Sequence, residues 1–162
     1  MNLHKSVVSL AMAALTTMGL SGSAAAAEQV TFSGSLEGFE TQTLLDPPFL
    51  YTVGTGSGNA TQLGKYTYTM PHVVNLSTRA GVGTFELVAA NGDTLVGTLT
   101  GQATPPDANG VISIVEELII TGGTGRFEGA TGAFEIHRVY DRPNNVTTGT
   151  FEGTVSSPGS GH

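Results

Sequence analysis

Apolar and polar residues alternate along most of this chain in short runs that glycine-rich segments separate. Beyond residue 27, no segment repeats apolar residues at helical spacing over three turns, whereas alternation with a period of two is typical of half-buried β-strands. About eight such runs follow one another, with turn residues between them. The pattern predicts an all-β, single-domain antiparallel barrel of about eight strands, because closure removes exposed sheet edges. A β-sandwich is the alternative.

The alternation also predicts where the strands lie. The predicted strands cover residues 29–39, 49–53, 60–70, 84–88, 94–100, 111–120, 133–140 and 148–156. Residues 54–59 are predicted to be a glycine-rich loop, Pro71 to end a strand, and residues 73–79 to form a short strand or a helical turn. Asn91 and Gly92 are the strongest hairpin signal, because both tolerate a positive φ. Residues 111–134, a long apolar run followed by a glycine-rich turn, predict a central hairpin.

The first 27 residues differ from the rest of the chain. A basic start with Lys5 precedes an apolar segment, residues 6–20, and then small residues that include Ala24 and Ala26 in an A-x-A pattern. These features predict a secretory signal peptide over residues 1–27. The apolar part is shorter than the roughly 20 residues of a membrane span, although a retained anchor is the alternative. We therefore expect a β-barrel domain at residues 28–157, a flexible tail at residues 158–162, and a secreted or periplasmic bacterial protein.

Charge and composition narrow the function classes. The formal net charge of the 162 residues is −7, and all 13 acidic residues follow the predicted leader. An acidic surface argues against nucleic acid and against anionic membranes as partners once the leader is removed. There is no cysteine, which excludes disulfides and thiolate sites. The glycine runs match no nucleotide motif, and His72, His137 and His162 share no ligand spacing, so we predict no cofactor and no metal.

Several sequence blocks resemble those of a known group of proteins. The blocks lie at residues 58–67, 89–95, 121–132 and 149–159, and the GGTGRFEGATG segment inside the third is the most specific. They resemble small secreted bacterial proteins grouped with the allene-oxide-cyclase-like barrels, relatives of dirigent proteins. The resemblance implies an eight-stranded barrel with a central cavity, and the wider group includes cyclases that need no cofactor. Gln62 and Glu128 depart from the pattern, which commonly has a histidine and a small residue there, and the local motifs of the plant cyclases do not match this chain.

Glu116 is the first candidate for chemistry. Its face of the predicted strand is otherwise apolar and should point inward, which places a carboxylate in the barrel interior; a shift of one residue would place Glu117 there instead. Burial raises the pKa of an unpaired carboxyl group, which suits a general acid or base. The alternative is a structural carboxylate paired with Arg138 or Arg126, because a guanidinium is the cation best suited to it.

A second set of residues could line a pocket. Tyr66 and Tyr68 share one face of a strand, and their hydroxyl groups could polarise a substrate carbonyl; as an alternative they are core residues with satisfied hydroxyls. The predicted ligand-binding residues are Tyr66, Tyr68, Phe85, Leu118, Phe134 and Arg126, with Glu116 and Arg138 as the catalytic pair.

Three function classes remain open at this point. The first is an exported barrel that binds a small apolar molecule in its interior, or that acts as a structural module. The second is a cofactor-independent isomerase or cyclase that uses Glu116, which requires a cavity of roughly 300 Å³ or more beside that side chain. The third is a surface-assembly protein with an exposed apolar patch. The sequence leaves self-association open.

Overall fold

The computed structural model describes residues 27–159, and these form a closed antiparallel barrel of eight strands. The strands are β1 (Gln29–Leu44), β2 (Phe49–Ala60), β3 (Gly64–Asn75), β4 (Ala80–Ala89), β5 (Thr94–Ala103), β6 (Val111–Gly123), β7 (Gly132–Asp141) and β8 (Val146–Ser156). Each strand pairs with the next in the sequence, and β8 closes the barrel against β1. The predicted eight-stranded barrel is confirmed, and the sandwich alternative is excluded.

The antiparallel order gives the barrel two different ends. The connections at residues 45–48, 76–79, 104–110 and 142–145 lie together at what we call the front end. The connections at residues 61–63, 90–93 and 124–131, together with the first residue of β1 and the last of β8, lie at the back end. A short 3₁₀ helix, Gly125–Phe127, occupies the back end, and its Phe127 side chain is buried. The back end is therefore capped by the chain itself.

The back half of the interior is packed with side chains. Four aromatic rings meet there, with Phe134 lying 5.1 Å from both Phe32 and Phe151 and 5.5 Å from Phe85 between ring centroids. Edge-on and tilted ring pairs of this kind add about 0.5–1.5 kcal/mol each beyond the area that they bury. The predicted inward face of β6 is confirmed, because Glu116, Leu118 and Ile120 are buried while Glu117 is exposed.

Several predicted boundaries were wrong. β1 continues to Leu44 instead of ending at Phe39, and β4 begins at Ala80 instead of Thr84. Two further errors concern the pairing of β2 with β3. Residues 54–59 belong to β2 rather than to a loop, because glycines on its inner face leave room for large rings on β3: Gly56 pairs with Tyr68 and Gly58 with Tyr66. Pro71 lies within β3 instead of ending it. The pairing of β3 with β2 continues through Pro71, whereas its pairing with β4 skips that residue, as expected for a residue without an N–H group.

Several sequence predictions fall at the margins of the described residues. The predicted leader lies outside them except for Ala27, and so does His162. Within residues 27–159, no helix is long and apolar enough to cross a membrane. In the predicted tail, the Gly159 N–H donates a hydrogen bond of 2.8 Å to the Arg126 carbonyl.

Large apolar side chains are exposed on the outer faces of the barrel, among them Phe39, Val82 and Ile119. Surface assembly stays a prediction.

Candidate functional site

The front half of the barrel encloses a cavity of about 310 Å³. Apolar side chains make up much of its wall, and charged or polar ones lie at its floor and at its mouth. The lining residues are Glu40, Gln42, Leu50, Thr52, His72, Val74, Leu76, Arg79, Gly81, Leu99, Gly101, Ala103, Thr104, Pro105, Pro106, Ile112, Ile114, Glu116, Arg138, Tyr140 and Arg142. A volume of this size is at the lower end of the range for small-molecule sites.

A buried ion cluster forms the floor of the cavity, between its hollow front and the packed back half. The Arg138 guanidinium donates from Nε to Glu116 Oε2 at 2.8 Å and from Nη2 to Glu116 Oε1 at 2.9 Å. Its Nη1 donates to Glu40 Oε1 at 2.7 Å and to Thr147 Oγ1 at 3.1 Å. All three charged side chains are more than nine-tenths buried. We call Arg138, Glu116 and Glu40 the floor cluster.

Glycines on the neighbouring strands make room for these long side chains. Gly101 pairs with Glu116, and a Cβ atom on it would lie 2.9 Å from Glu116 Cγ. Gly149 pairs with Arg138, and a Cβ atom there would lie 2.5 Å from Arg138 Cβ. Glycines within β5 and β8 therefore shape the interior at these two positions.

The electrostatics of the floor cluster keep its guanidinium charged. Burial alone would lower the pKa of Arg138, but the charges and hydrogen bonds of Glu116 and Glu40 outweigh it and raise that pKa above its ordinary value. Two carboxylates and one guanidinium give the cluster a formal charge of −1. Every carboxylate oxygen in it already accepts a hydrogen bond, since Glu40 Oε2 accepts one of 3.0 Å from Gln42.

The sequence interpretation assigned His72 to no strand and to no functional site. It is buried at the cavity wall, and its Nδ1 lies 3.0 Å from the Met70 carbonyl oxygen. Because a carbonyl only accepts, Nδ1 carries the proton of that hydrogen bond. In the neutral ring Nε2 then holds the lone pair, and it has no hydrogen-bond partner among the described residues. His72 thus offers the cavity an acceptor of fixed tautomer.

The two predicted pocket tyrosines lie behind the floor cluster. Tyr66 donates a hydrogen bond of 3.0 Å to the Ser35 carbonyl, and burial, reinforced by Tyr68, raises its pKa well above the ordinary range. Burial also raises the pKa of Tyr68 to about 12, although Arg138 opposes the shift. The Tyr68 hydroxyl and the Thr52 hydroxyl are buried without a hydrogen-bond partner among the described residues. Thr52 is among the residues that line the cavity, but its hydroxyl oxygen has almost no accessible surface.

The structure brings together only some of the predicted site residues. Glu116 and Arg138 line the cavity and bind each other, which is one of the two pairings that the sequence left open. Phe85, Leu118 and Phe134 lie in the packed core instead of the cavity lining. Arg126 lies at the back end, where its Nε is 3.4 Å from Asp93 Oδ2. Sequence reasoning missed Glu40, Thr52 and His72; continuing the alternation of β1 and β3 beyond Phe39 and Pro71 would have found Glu40 and His72.

The fold and the hollow front half define a class, the closed eight-stranded antiparallel barrels with an interior site. Comparison of the sequence with protein-family profiles and with curated proteins gives no match. Among solved structures, the barrel is similar to the pterocarpan synthase dirigent protein GePTS1, with a TM-score of 0.60 and 12% sequence identity. The alignment covers 90% of this chain and 99% of that one. At this identity the similarity shows a dirigent-like barrel fold.

Proposed function

We propose that this protein is a barrel of the allene-oxide-cyclase-like and dirigent-like group that binds a small, largely apolar molecule in its front cavity. The observation that carries the proposal is the cavity of about 310 Å³, which apolar side chains such as Leu50, Leu99 and Ile114 line above the floor cluster. The similar solved structure bears the name of a pterocarpan synthase dirigent protein. A similar barrel that is named as a synthase of pterocarpan supports a binding role here.

The contrast between the two halves of the barrel favours binding over a purely structural role. In the back half, large side chains fill the interior, and Phe32, Leu95 and Val155 have no exposed surface. In the front half, Ile112, Ile114 and Val74 face the cavity and are only partly buried. Apolar side chains left without packing partners lose dispersion contacts. An apolar occupant would restore these contacts.

The cavity can be blocked from a position that tolerates a larger side chain. A Cβ atom on Gly81 would lie 3.7 Å from His72 Cδ2 and 3.7 Å from Val74 Cγ2, which is ordinary contact distance. A Gly81→Leu side chain would therefore extend into the cavity without a backbone clash. We expect it to weaken binding of a neutral apolar probe, naphthamide, about tenfold or more, since it takes up space that the probe needs. Calorimetric titration measures this effect.

The matched control is Val82→Leu, one residue away on the outer face of β4, where the side chain is exposed. It should bind naphthamide as the wild-type protein does. The proposal fails if the wild-type protein does not bind the probe with a dissociation constant below about 1 mM, or if a folded Gly81→Leu variant binds it unchanged. Native mass spectrometry of the purified protein identifies any molecule that the cavity retains.

The alternative function is a cofactor-independent isomerase or cyclase. The cavity beside Glu116 favours it, but Arg138 engages both oxygens of that carboxylate, which opposes a role as general base. The free Nε2 of His72 is better placed to accept a proton from a cavity occupant. Incubation with apolar epoxides, followed by chiral chromatography, tests the alternative. Turnover that His72→Gln abolishes would support it, and product mixtures identical to those without protein would contradict it.

A further inference from the structure

Positive charge is concentrated at the cavity of an otherwise acidic protein. Only five basic residues follow the predicted leader, against 13 acidic ones. Three of those five, Arg79, Arg138 and Arg142, line the cavity. Arg138 is committed to the floor cluster, whereas Arg79 and Arg142 are exposed and have no carboxylate within 4.0 Å among the described residues. The mouth of the cavity therefore presents two guanidinium groups without counter-ions.

The barrel order places these two arginines on opposite rims of the mouth. Arg79 ends the connection between β3 and β4, and Arg142 begins the connection between β7 and β8, half-way around the eight strands. Arg79 also has a φ of +62°. This left-handed conformation suits glycine or asparagine better than arginine. An arginine at such a position is the kind of outlier that points to a role for its side chain.

The charges and hydrogen-bonding groups of the cavity indicate at which end a charged group of the ligand would bind. The carboxylate oxygens at the floor are all occupied, and the formal charge of the floor cluster is −1. A ligand anion would be repelled at the floor and attracted at the mouth, where guanidinium groups offer paired N–H donors that fit a carboxylate. The apolar wall lies between these two ends.

We infer that the cavity selects a small apolar molecule with one carboxylate, held with its apolar body towards the floor cluster and its carboxylate between Arg79 and Arg142. This inference rests on the proposed binding function and adds the charge and the orientation of the ligand. It also makes Arg79 and Arg142 the residues that determine specificity. The overall negative charge of the protein opposes binding of any anion, so a preference for one must come from the local arginines.

The test compares three probes of the same shape: naphthoate, its neutral amide naphthamide, and the cation naphthylmethylammonium. Calorimetric titrations at one fixed salt concentration are run on the wild-type protein and on Arg79→Gln, Arg142→Gln and the double variant. Arg126→Gln is the matched control, because it removes an exposed arginine from the back end. We expect naphthoate to bind at least about tenfold more tightly than naphthamide, and the cation to bind most weakly.

Each single variant should reduce the preference for naphthoate over naphthamide about threefold or more, and the double variant should abolish it, while Arg126→Gln leaves it unchanged. Equal binding of acid and amide to the wild-type protein would overturn the inference, and so would a preference that survives in the double variant. Both outcomes leave the proposed function standing, provided that Gly81→Leu still weakens naphthamide binding. Failure of the wild-type protein to bind naphthamide with a dissociation constant below about 1 mM would refute the proposed function itself.

Discussion

Replacement of Arg138 by Met should lower the free energy of unfolding by about 3–5 kcal/mol, because it leaves Glu116 and Glu40 buried without their cation. The guanidinium makes four hydrogen bonds inside the barrel, and a methionine of similar length makes none. Urea unfolding of the two proteins measures this loss.

Two further variants separate charge from packing in this prediction. Arg126→Met removes an exposed ion pair with Asp93 and should change the free energy of unfolding by less than about 1 kcal/mol. Addition of Glu40→Gln and Glu116→Gln to Arg138→Met should recover most of the loss, since uncharged side chains of the same size are far cheaper to bury. If the triple variant is no more stable than Arg138→Met alone, the floor cluster stabilises the barrel through shape and not through charge.

The floor cluster shows how far the sequence predicts the candidate site. The period of two along β6 and β7 places Glu116 and Arg138 on the inner face, and the barrel confirms both positions. Glu40 lies on the same face of β1 as Phe32 and Leu36, but polar residues follow Phe39 and resemble the start of a loop. Alternation predicts the face of a residue only where the strand is recognised. A strand whose inward-facing residues are polar lacks the apolar alternation by which it would be recognised.

The same limit explains why His72 was missed and why the cavity could not be predicted. A proline usually ends a strand, yet β3 continues for four residues beyond Pro71 and carries His72 to the cavity wall. Whether a barrel interior is filled or hollow depends on how side chains from all eight strands fit together, which no local pattern contains. The packed back half and the hollow front half follow from the sizes of paired residues, such as the tyrosines of β3 opposite the glycines of β2.

Replacement of Gly56 by Val should cost about 3 kcal/mol or more in the free energy of unfolding. A Cβ atom on this inward-facing glycine would overlap the Glu37 carbonyl oxygen and would lie 2.8 Å from Cε1 of the Tyr68 ring. Tyr68 is 4% exposed and lies next to Arg138 and Met70 around a small internal void, so it cannot move without disturbing the floor cluster. Denaturant unfolding gives the energy, and near-ultraviolet circular dichroism should show weaker tyrosine bands.

The matched control for Gly56→Val is Gly122→Val on β6, where an added Cβ atom would have no atom within 4 Å. The same change there should alter the free energy of unfolding by less than about 0.5 kcal/mol, because valine is a favourable strand residue and the position has space. Similar losses at the two positions would mean that any glycine replacement destabilises the sheet. A loss confined to Gly56 would instead show that β2 needs its inner glycines to seat the tyrosines that support the floor of the cavity.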